Sequence, residues 1–191
     1  MPAIMSSVFA CTLDMINKDM AEYPEHRVSF FKMIQAINMN CFPALLQLPP
    51  ADFSLFLDSV VWAFKHTMRD VADTGLIVCL ELVNNFAVSD VEISNNFFQQ
   101  HYIRLLQDVF VVLTDTEHKA SRKIISFRAN LQGFKNQCLL LARLIGLVET
   151  NSIHVPLYAS DPSIPPGTPN SVFLNDFLVK LMKSAFPHLA P

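Results

Sequence analysis

The sequence predicts an all-α protein, a solenoid of HEAT-type repeats in which antiparallel helix pairs stack on one another. Apolar residues recur at three- and four-residue spacing along most of the chain, as on one face of a helix. No segment of comparable length alternates as a strand would. Phe53 and Phe98 begin alternate predicted helices 45 residues apart, which is close to the HEAT and armadillo period of roughly 40–47 residues.

The apolar stripes can be followed in order along the chain, and each predicts one helix. They are Phe9, Leu13, Ile16 and Met20; Phe30, Ile34, Ile37 and Cys41; Phe53, Leu57, Val60 and Phe64; Leu76, Cys79 and Val83; Phe98, Tyr102, Leu105 and Val109; Phe134, Cys138, Leu141 and Ile145; and Phe173, Phe177 and Leu181. The predicted helix pairs cover about residues 2–41, 51–89 and 93–149, followed by a helix at 171–186.

Helix-breaking residues separate these stripes. Pro24 can open the second helix in its first turn, and Pro43 with Leu48-Pro49-Pro50 separates that helix from the third. Asp115 and Thr116 follow the fifth helix. Residues 157–170 contain four prolines and a glycine and are predicted to form a loop.

The composition is apolar for a protein that folds in water. Apolar residues make up 51% of the chain and charged residues 16%, and the mean hydropathy is +0.32. Even the most apolar run, Cys138–Val148, is interrupted by Arg143 and is too short to span a membrane, so we expect no membrane insertion. Met1–Ala10 lacks the features of a secretory signal, which favours a nucleocytoplasmic location.

The net charge indicates the class of binding partner, and the cysteine spacing indicates whether a zinc or redox motif is present. Fourteen basic against seventeen acidic residues give a net charge of −3, so we expect no direct binding of nucleic acid and favour a protein partner. The four cysteines lie far apart inside apolar segments, without the close pairs of zinc or redox motifs. Cys11, Cys41, Cys79 and Cys138 are predicted to be buried free thiols.

No catalytic, metal or cofactor site is predicted. The cysteines and six histidines carry no recognisable signature of a nucleophile and its base. His118, in Asp115-Thr116-Glu117-His118-Lys119, could be imagined as a metal ligand, but consecutive Asp, Thr and Glu fit a helix cap and its acidic first turn better. The four glycines are too scattered for a phosphate-binding loop.

Two further features have alternative interpretations. Lys65, His66 and Arg69 follow the Trp62-Ala63-Phe64 turn and could form a basic contact patch, although a solvated hinge between two helices is favoured. Gly75 interrupts a helical pattern, where glycine costs stability, and this predicts a close helix crossing.

Both predicted ends lack a polar closing helix, so we expect a fragment of a longer array.

Two long segments are specific beyond their composition: SVFACTLDMINKDMAEYPEHRV at Ser7–Val28 and LPPADFSLFLDSVVWAFKHTMRDVADTGL at Leu48–Leu76. Both resemble the C-terminal repeats of the exportins, nuclear export receptors of the karyopherin-β (importin-β) superfamily. Supporting segments are FVVLTDTEHK at Phe110–Lys119, CLLLARLIGLVETN at Cys138–Asn151, HVPLY at His154–Tyr158 and KSAFPHL at Lys183–Leu189. The resemblance covers nearly the whole chain and is nearest to fungal members.

This resemblance implies a much longer receptor that closes around the GTP-bound form of the small GTPase Ran and carries proteins with leucine-rich export signals. Nucleoporins are further implied partners, and nucleus and cytoplasm are the implied locations. The helices near Pro24–Cys41 and Asp70–Ser89 would line the concave inner surface. The residues that contact Ran cannot be transferred from the family, so partner-binding residues remain unassigned.

Two departures from the family pattern qualify the resemblance. None of the four cysteines matches the reactive cysteine of the export-signal groove, which belongs to repeats that would precede Met1. The chain alone is therefore not expected to bind cargo. Residues 121–132, SRKIISFRANLQ, are extra relative to the family, and they are interpreted as an unspliced intron, a surface loop or a lengthened helix.

Three classes of function are therefore considered. The resemblance favours a transport-receptor module without catalysis. An unrelated HEAT scaffold for another complex is the alternative. A small helical enzyme that depends on Cys138 or His118 is the third.

Overall fold

The computed structural model describes residues 24–114, 127–158 and 161–187, and for residue 24 and residues 127–131 it describes the backbone only. All regular structure within these residues is helical, which confirms the all-α prediction. The described residues form seven helices: α1 Pro24–Asn40, α2 Phe42–Leu45, α3 Pro50–Phe64, α4 Arg69–Ala87, α5 Val91–Thr114, α6 Phe127–Glu149 and α7 Asn170–Ala185.

Prolines mark the beginnings of three helices. Pro24 is the first residue of α1, as predicted, because a missing N–H costs nothing in the first turn. Pro50 begins α3 in the same way, directly after Pro49. Pro43 lies between α1 and α3, as predicted, and it occupies the first turn of the short helix α2, where its fixed backbone angle is compatible with helix.

Contacts between residues divide the chain into two compact units, Met1–Leu82 and Val83–Pro191, and the boundary falls within α4. In the first unit, α1 and α4 run in the same direction. The Arg27 guanidinium donates to the Met68 sulfur at 3.7 Å, 41 positions along the chain. The Asn38 side-chain amide donates to the Val78 carbonyl at 3.3 Å, 40 positions along. A constant offset of about 40 residues between parallel helices is the register of tandem HEAT repeats.

A close contact between α3 and α4 is centred on Gly75, which confirms the predicted crossing. A Cβ atom at this position would lie 2.6 Å from the Phe64 backbone nitrogen and 2.7 Å from the Ala63 Cβ. Only glycine lets the two helices approach so closely. The core of this unit includes Phe31, Ile34, Phe56, Leu57, Val60, Phe64, Val71, Leu76 and Cys79, all buried.

In the second unit, α5 and α6 form an antiparallel pair. The His154 backbone N–H, just after α6, donates to the Asn95 side-chain oxygen near the start of α5, so the end of one helix lies beside the beginning of the other. Helix α7 packs on both α5 and α6. The predicted stripe of α5 is confirmed, because Phe98, Tyr102, Leu105 and Val109 are all fully buried.

The second unit shows a longer register than the first. The Arg143 guanidinium of α6 donates to the Asn84 side-chain oxygen of α4 at 2.7 Å, and these two residues are separated by 59 positions. That offset exceeds the HEAT period of about 40–47 residues by about the length of the extra segment 121–132. Helix α6 begins at Phe127, inside that segment, and residues 121–126 lie outside the described residues.

The predicted core face of α6 was wrong. Phe134 is 48% exposed, and Cys138, Leu141 and Ile145 are only half-buried. The face that packs inward carries Leu140, Leu144, Leu147 and Val148. Both stripes have three- and four-residue spacing, and periodicity alone cannot tell which of them faces α5. In α7, the predicted residues Phe173, Phe177 and Leu181 are likewise half-buried, and Leu174 is buried instead.

Candidate interaction groove

A candidate site in the second unit is an open groove of about 710 Å³ between α5, α7 and the proline-rich loop. Helix α5 contributes Gln99, Gln100 and Ile103 to one wall. Helix α7 contributes the other wall through side chains that helical spacing places on one face. These are Val172, Phe173, Asp176, Phe177 and Lys180.

Aromatic rings line one side of the groove. The Tyr158 and Phe173 ring centroids lie 5.7 Å apart, and those of Phe173 and Phe177 lie 5.8 Å apart. These distances fall within the range in which aromatic pairs attract one another. Phe173 and Phe177 are half-buried, so part of each ring is exposed to the groove.

The loop beside this groove is fixed to the start of α7 by Asn170. Its side-chain oxygen accepts a hydrogen bond of 3.0 Å from the Leu157 N–H. Its side-chain amide donates to the Val155 carbonyl at 2.9 Å and to the Ile153 carbonyl at 3.4 Å. One asparagine therefore satisfies three backbone groups of a segment without regular structure, and it holds the groove wall in place.

Three charged side chains border the groove: Asp161, Asp176 and Lys180. The Ser163 hydroxyl and backbone N–H both donate to the same Asp161 oxygen, at 2.6 and 2.9 Å. These bonds hold the pKa of the Asp161 carboxyl below its usual value, with a smaller contribution from Lys180. Asp176 forms no ion pair within the part of the chain that the structure describes.

The first unit contains a separate polar cluster between α1 and α4. Glu81 of α4 faces the side-chain amides of Gln35 and Asn38 of α1. Burial raises the pKa of the Glu81 carboxyl above its usual value, and the two amides offset part of that effect. One carboxylate oxygen is buried without a hydrogen-bond partner among the described residues.

Two of the three residues of the basic patch considered at Lys65, His66 and Arg69 are engaged within the protein. His66 is only 8% exposed; its ring lies 4.6 Å from that of Trp62, and its Nδ1 accepts a hydrogen bond from the Met68 N–H. Arg69 pairs with Asp73 one turn further along α4. The histidine thus closes the connection between α3 and α4, and it does not offer charge to a partner.

The predicted thiol burial is correct for one of the three described cysteines. Cys79 is buried, but Cys41 and Cys138 are only half-buried, because Cys41 lies just past the end of α1 and Cys138 lies on the outer stripe of α6. All three are free thiols. Cys11 and the His118 segment lie outside the described residues.

The helices of the described residues include no candidate for a membrane span, since none combines the required length and hydropathy.

Sequence analysis missed both the groove and the Asn170 contacts. The groove depends on how α5 and α7 lie side by side, which periodicity does not reveal. Asn170 did carry a signal, because an asparagine directly after Thr168-Pro169 at a helix start is a residue type that bonds to nearby backbone.

Packed helices that repeat at an offset of about 40 residues in the first unit define a HEAT-type helical-repeat protein. Residues 1–191, the whole chain, match the family described as CRM1 C terminal. The chain belongs to this family.

Curated relatives agree with that assignment. The chain is 51% identical over 191 residues to exportin-1 of Schizosaccharomyces pombe, 40% identical over 189 residues to exportin-1 of Drosophila melanogaster, and 42% identical over 188 residues to protein EXPORTIN 1B of Arabidopsis thaliana. These matches cover 98–100% of this chain and 16% of each relative. The sequence-based assignment to the exportins is confirmed, and the higher identity to the yeast protein fits a fungal member.

Proposed function

We propose that this chain supplies C-terminal scaffold repeats of a nuclear export receptor that carries proteins with leucine-rich export signals out of the nucleus together with Ran-GTP. The observation that carries the proposal is the match of the whole chain to the CRM1 C-terminal family. The repeat register of α1 and α4 supports it, because a scaffold of stacked repeats needs equivalent helices at a constant offset. Residues 1–191 form one such scaffold region.

The proposed partners are those of the whole receptor: Ran in its GTP form, export cargo and nucleoporins. The register-equivalent helices α1 and α4 are proposed to face the concave surface of the receptor and to form part of the side that faces Ran. Exposed side chains such as Met39 on α1 and Ile77 on α4 are available for such a contact. We place the receptor in both nucleus and cytoplasm, moving through the nuclear pore.

The chain is proposed to act without catalysis. Within the described residues, no group of three or more His, Cys, Asp or Glu side chains could hold a metal ion. Cys138 is a half-buried free thiol on the outer stripe of α6. We propose that this region acts through its shape and its contacts with partners, and that it catalyses no reaction.

A chimeric receptor tests the proposal. The matching segment of S. pombe exportin-1 would be replaced by residues 1–191, and the resident receptor depleted. We expect a fluorescent reporter with a leucine-rich export signal to remain cytoplasmic. A chimera that accumulates to normal levels but leaves the reporter in the nucleus would contradict the proposed function.

The isolated chain supplies a second readout. Because the export-signal groove is proposed to lie in other repeats, a labelled leucine-rich signal peptide should show no binding to the 191-residue chain alone. Capture of that peptide with the affinity of a complete receptor would show that the placement outside the cargo groove is wrong.

A further inference from the structure

The groove between α5 and α7 has the dimensions of a peptide site. Its α7 wall runs from Val172 to Lys180, which is about 12 Å at the helical rise of about 1.5 Å per residue. An extended peptide advances about 3.3 Å per residue, so the wall matches about three to four residues. The volume of about 710 Å³ also lies within the usual range for ligand sites.

The groove walls are fixed by hydrogen bonds within the protein itself. Asn170 fixes the loop to α7 through three hydrogen bonds, and Asn95 fixes the His154 backbone to α5. A wall that is already ordered does not lose conformational entropy when a ligand binds. The exposed parts of Phe173 and Phe177 therefore form a prepared apolar surface.

The charges along this surface select the kind of ligand. Asp161 and Asp176 border the groove and Lys180 is the one cation among its lining residues, so the groove carries a net negative charge. Lys180 interacts with Asp161, whereas Asp176 has no ion-pair partner among the described residues. A cationic side chain beside Asp176 would complete the pairing, and a carboxylate there would be repelled.

We propose that this groove binds a short extended peptide segment of another protein, with an aliphatic or aromatic side chain seated against Phe173 and Phe177 and a Lys or Arg beside Asp176. Gln99 and Gln100 on the opposite wall supply amide donors and acceptors for the peptide backbone. This site is distinct from the polar cluster at Glu81 and adds a peptide contact to the proposed scaffold role.

The probe is a phage-displayed library of random nonapeptides, panned on the full 191-residue chain. Recovered peptides should share an aliphatic or aromatic residue within three positions of a Lys or Arg. A representative fluorescein-labelled peptide should bind with a Kd of about 10–100 µM, as expected for a contact smaller than a standard interface. Recovery of acidic peptides, or of none, would overturn the proposal.

Matched charge reversals locate the binding. Asp176→Lys should weaken the peptide at least about tenfold, the equivalent of losing one favourable charge pair. Glu149→Lys makes the same change on an exposed residue outside the groove and should leave binding within about twofold. Equal effects of the two reversals would show that attraction to the whole chain, and not the groove, explains the binding.

Circular dichroism separates a lost contact from a lost fold. Both reversals affect exposed side chains, so the helical signal and Tm of each variant should match the parent chain.

The groove could instead receive a second copy of this chain. A concentration-dependent dimer that Asp176→Lys abolishes, with no peptide recovered, would replace the peptide proposal by self-association. Because peptide binding is measured directly, its failure is distinguishable from failure of the export chimera.

Discussion

The Tyr102 hydroxyl donates a hydrogen bond of 2.8 Å to the backbone carbonyl of Leu144, and this bond joins α5 to α6 in the fully buried centre of the second unit. Burial of this hydroxyl raises the pKa of Tyr102, so it stays protonated, and remains a donor, at a higher pH than an exposed tyrosine would. A buried hydroxyl needs such a partner, because leaving it unpaired costs more than the bond itself contributes.

Tyr102→Phe should therefore lower the free energy of unfolding by about 1 kcal/mol, since the ring packing is kept and the bond is lost. Urea denaturation followed by circular dichroism would measure it. Tyr158→Phe is the control, because its hydroxyl bonds to none of the described residues, and its effect should be smaller. An unchanged midpoint for Tyr102→Phe would show that the bond does not contribute to stability.

Two glycine substitutions should change stability in opposite directions. Gly75→Ala would place a methyl group 2.6 Å from the Phe64 nitrogen, and we expect about 1–3 kcal/mol of destabilisation by overpacking. A Cβ at Gly146 would meet nothing within 4 Å, so Gly146→Ala should stabilise α6 by about 0.5–1 kcal/mol. Thermal unfolding would measure the change in stability of each variant. A change of the same sign in both variants would contradict the expected result.

Glu81→Gln should stabilise the protein at neutral pH. The raised pKa of Glu81 means that the folded state binds this proton more tightly than the unfolded state, so the ionised carboxylate opposes folding above its folded pKa. That cost disappears as the pH falls towards and below the usual value of 4.5. The Tm difference between variant and parent should be largest at pH 7 and close to zero at about pH 4.

Asn170→Ala should destabilise the second unit by about 2–3 kcal/mol, because three backbone groups of the loop lose their partner. Asn175→Ala, on an exposed position of the same helix, should be nearly neutral. Hydrogen exchange would localise the effect: the amide of Leu157 should exchange faster in the first variant only. Unchanged exchange at Leu157 would show that the loop is held by other contacts.

Removal of residues 121–132 should leave the second unit folded. The deletion is twelve residues long and would shorten the offset between Asn84 and Arg143 from 59 to 47 positions, still within the repeat period of about 40–47. We expect helical content and cooperative unfolding to persist. Deleting Gln137–Val148, a segment of equal length with four buried leucine or valine residues, should abolish folding. A transcript that lacks codons 121–132 would identify the segment as an unspliced intron.

Among the described residues, the sequence was sufficient to predict the six longer helices, but not the short helix α2 or every face that the helices bury. The α5 stripe was predicted correctly because Phe98, Tyr102, Leu105 and Val109 form its dominant apolar face. Helix α6 is apolar on two sides, so the Phe134 stripe and the Leu144 stripe gave the same periodic signal. The stripe that packs inward is the one whose side chains fit against α5. The spacing of apolar residues along α6 carries no information about that fit.

The candidate groove could not be predicted for a related reason. Asp161 and Asp176 lie in different elements, and only the folded loop brings both to the same groove. By contrast, the Gly75 crossing was predictable, because a glycine inside a helix has a local cost that a close approach explains. Features with a local signal could be found in the sequence, whereas features made by two distant segments could not.

Contacts between neighbouring helices join residues that lie close together in the sequence, and this affects how the chain can fold during synthesis. The hydrogen bonds from Arg27, Asn38 and Tyr102 close over 40–42 positions, and those from Arg143 and His154 over 59. Such a contact can form once the helix that carries its second residue has left the ribosome, without waiting for residues further along the chain. Each helix can therefore dock on one already made, so that within each unit the described helices can pack in the order in which they are synthesised.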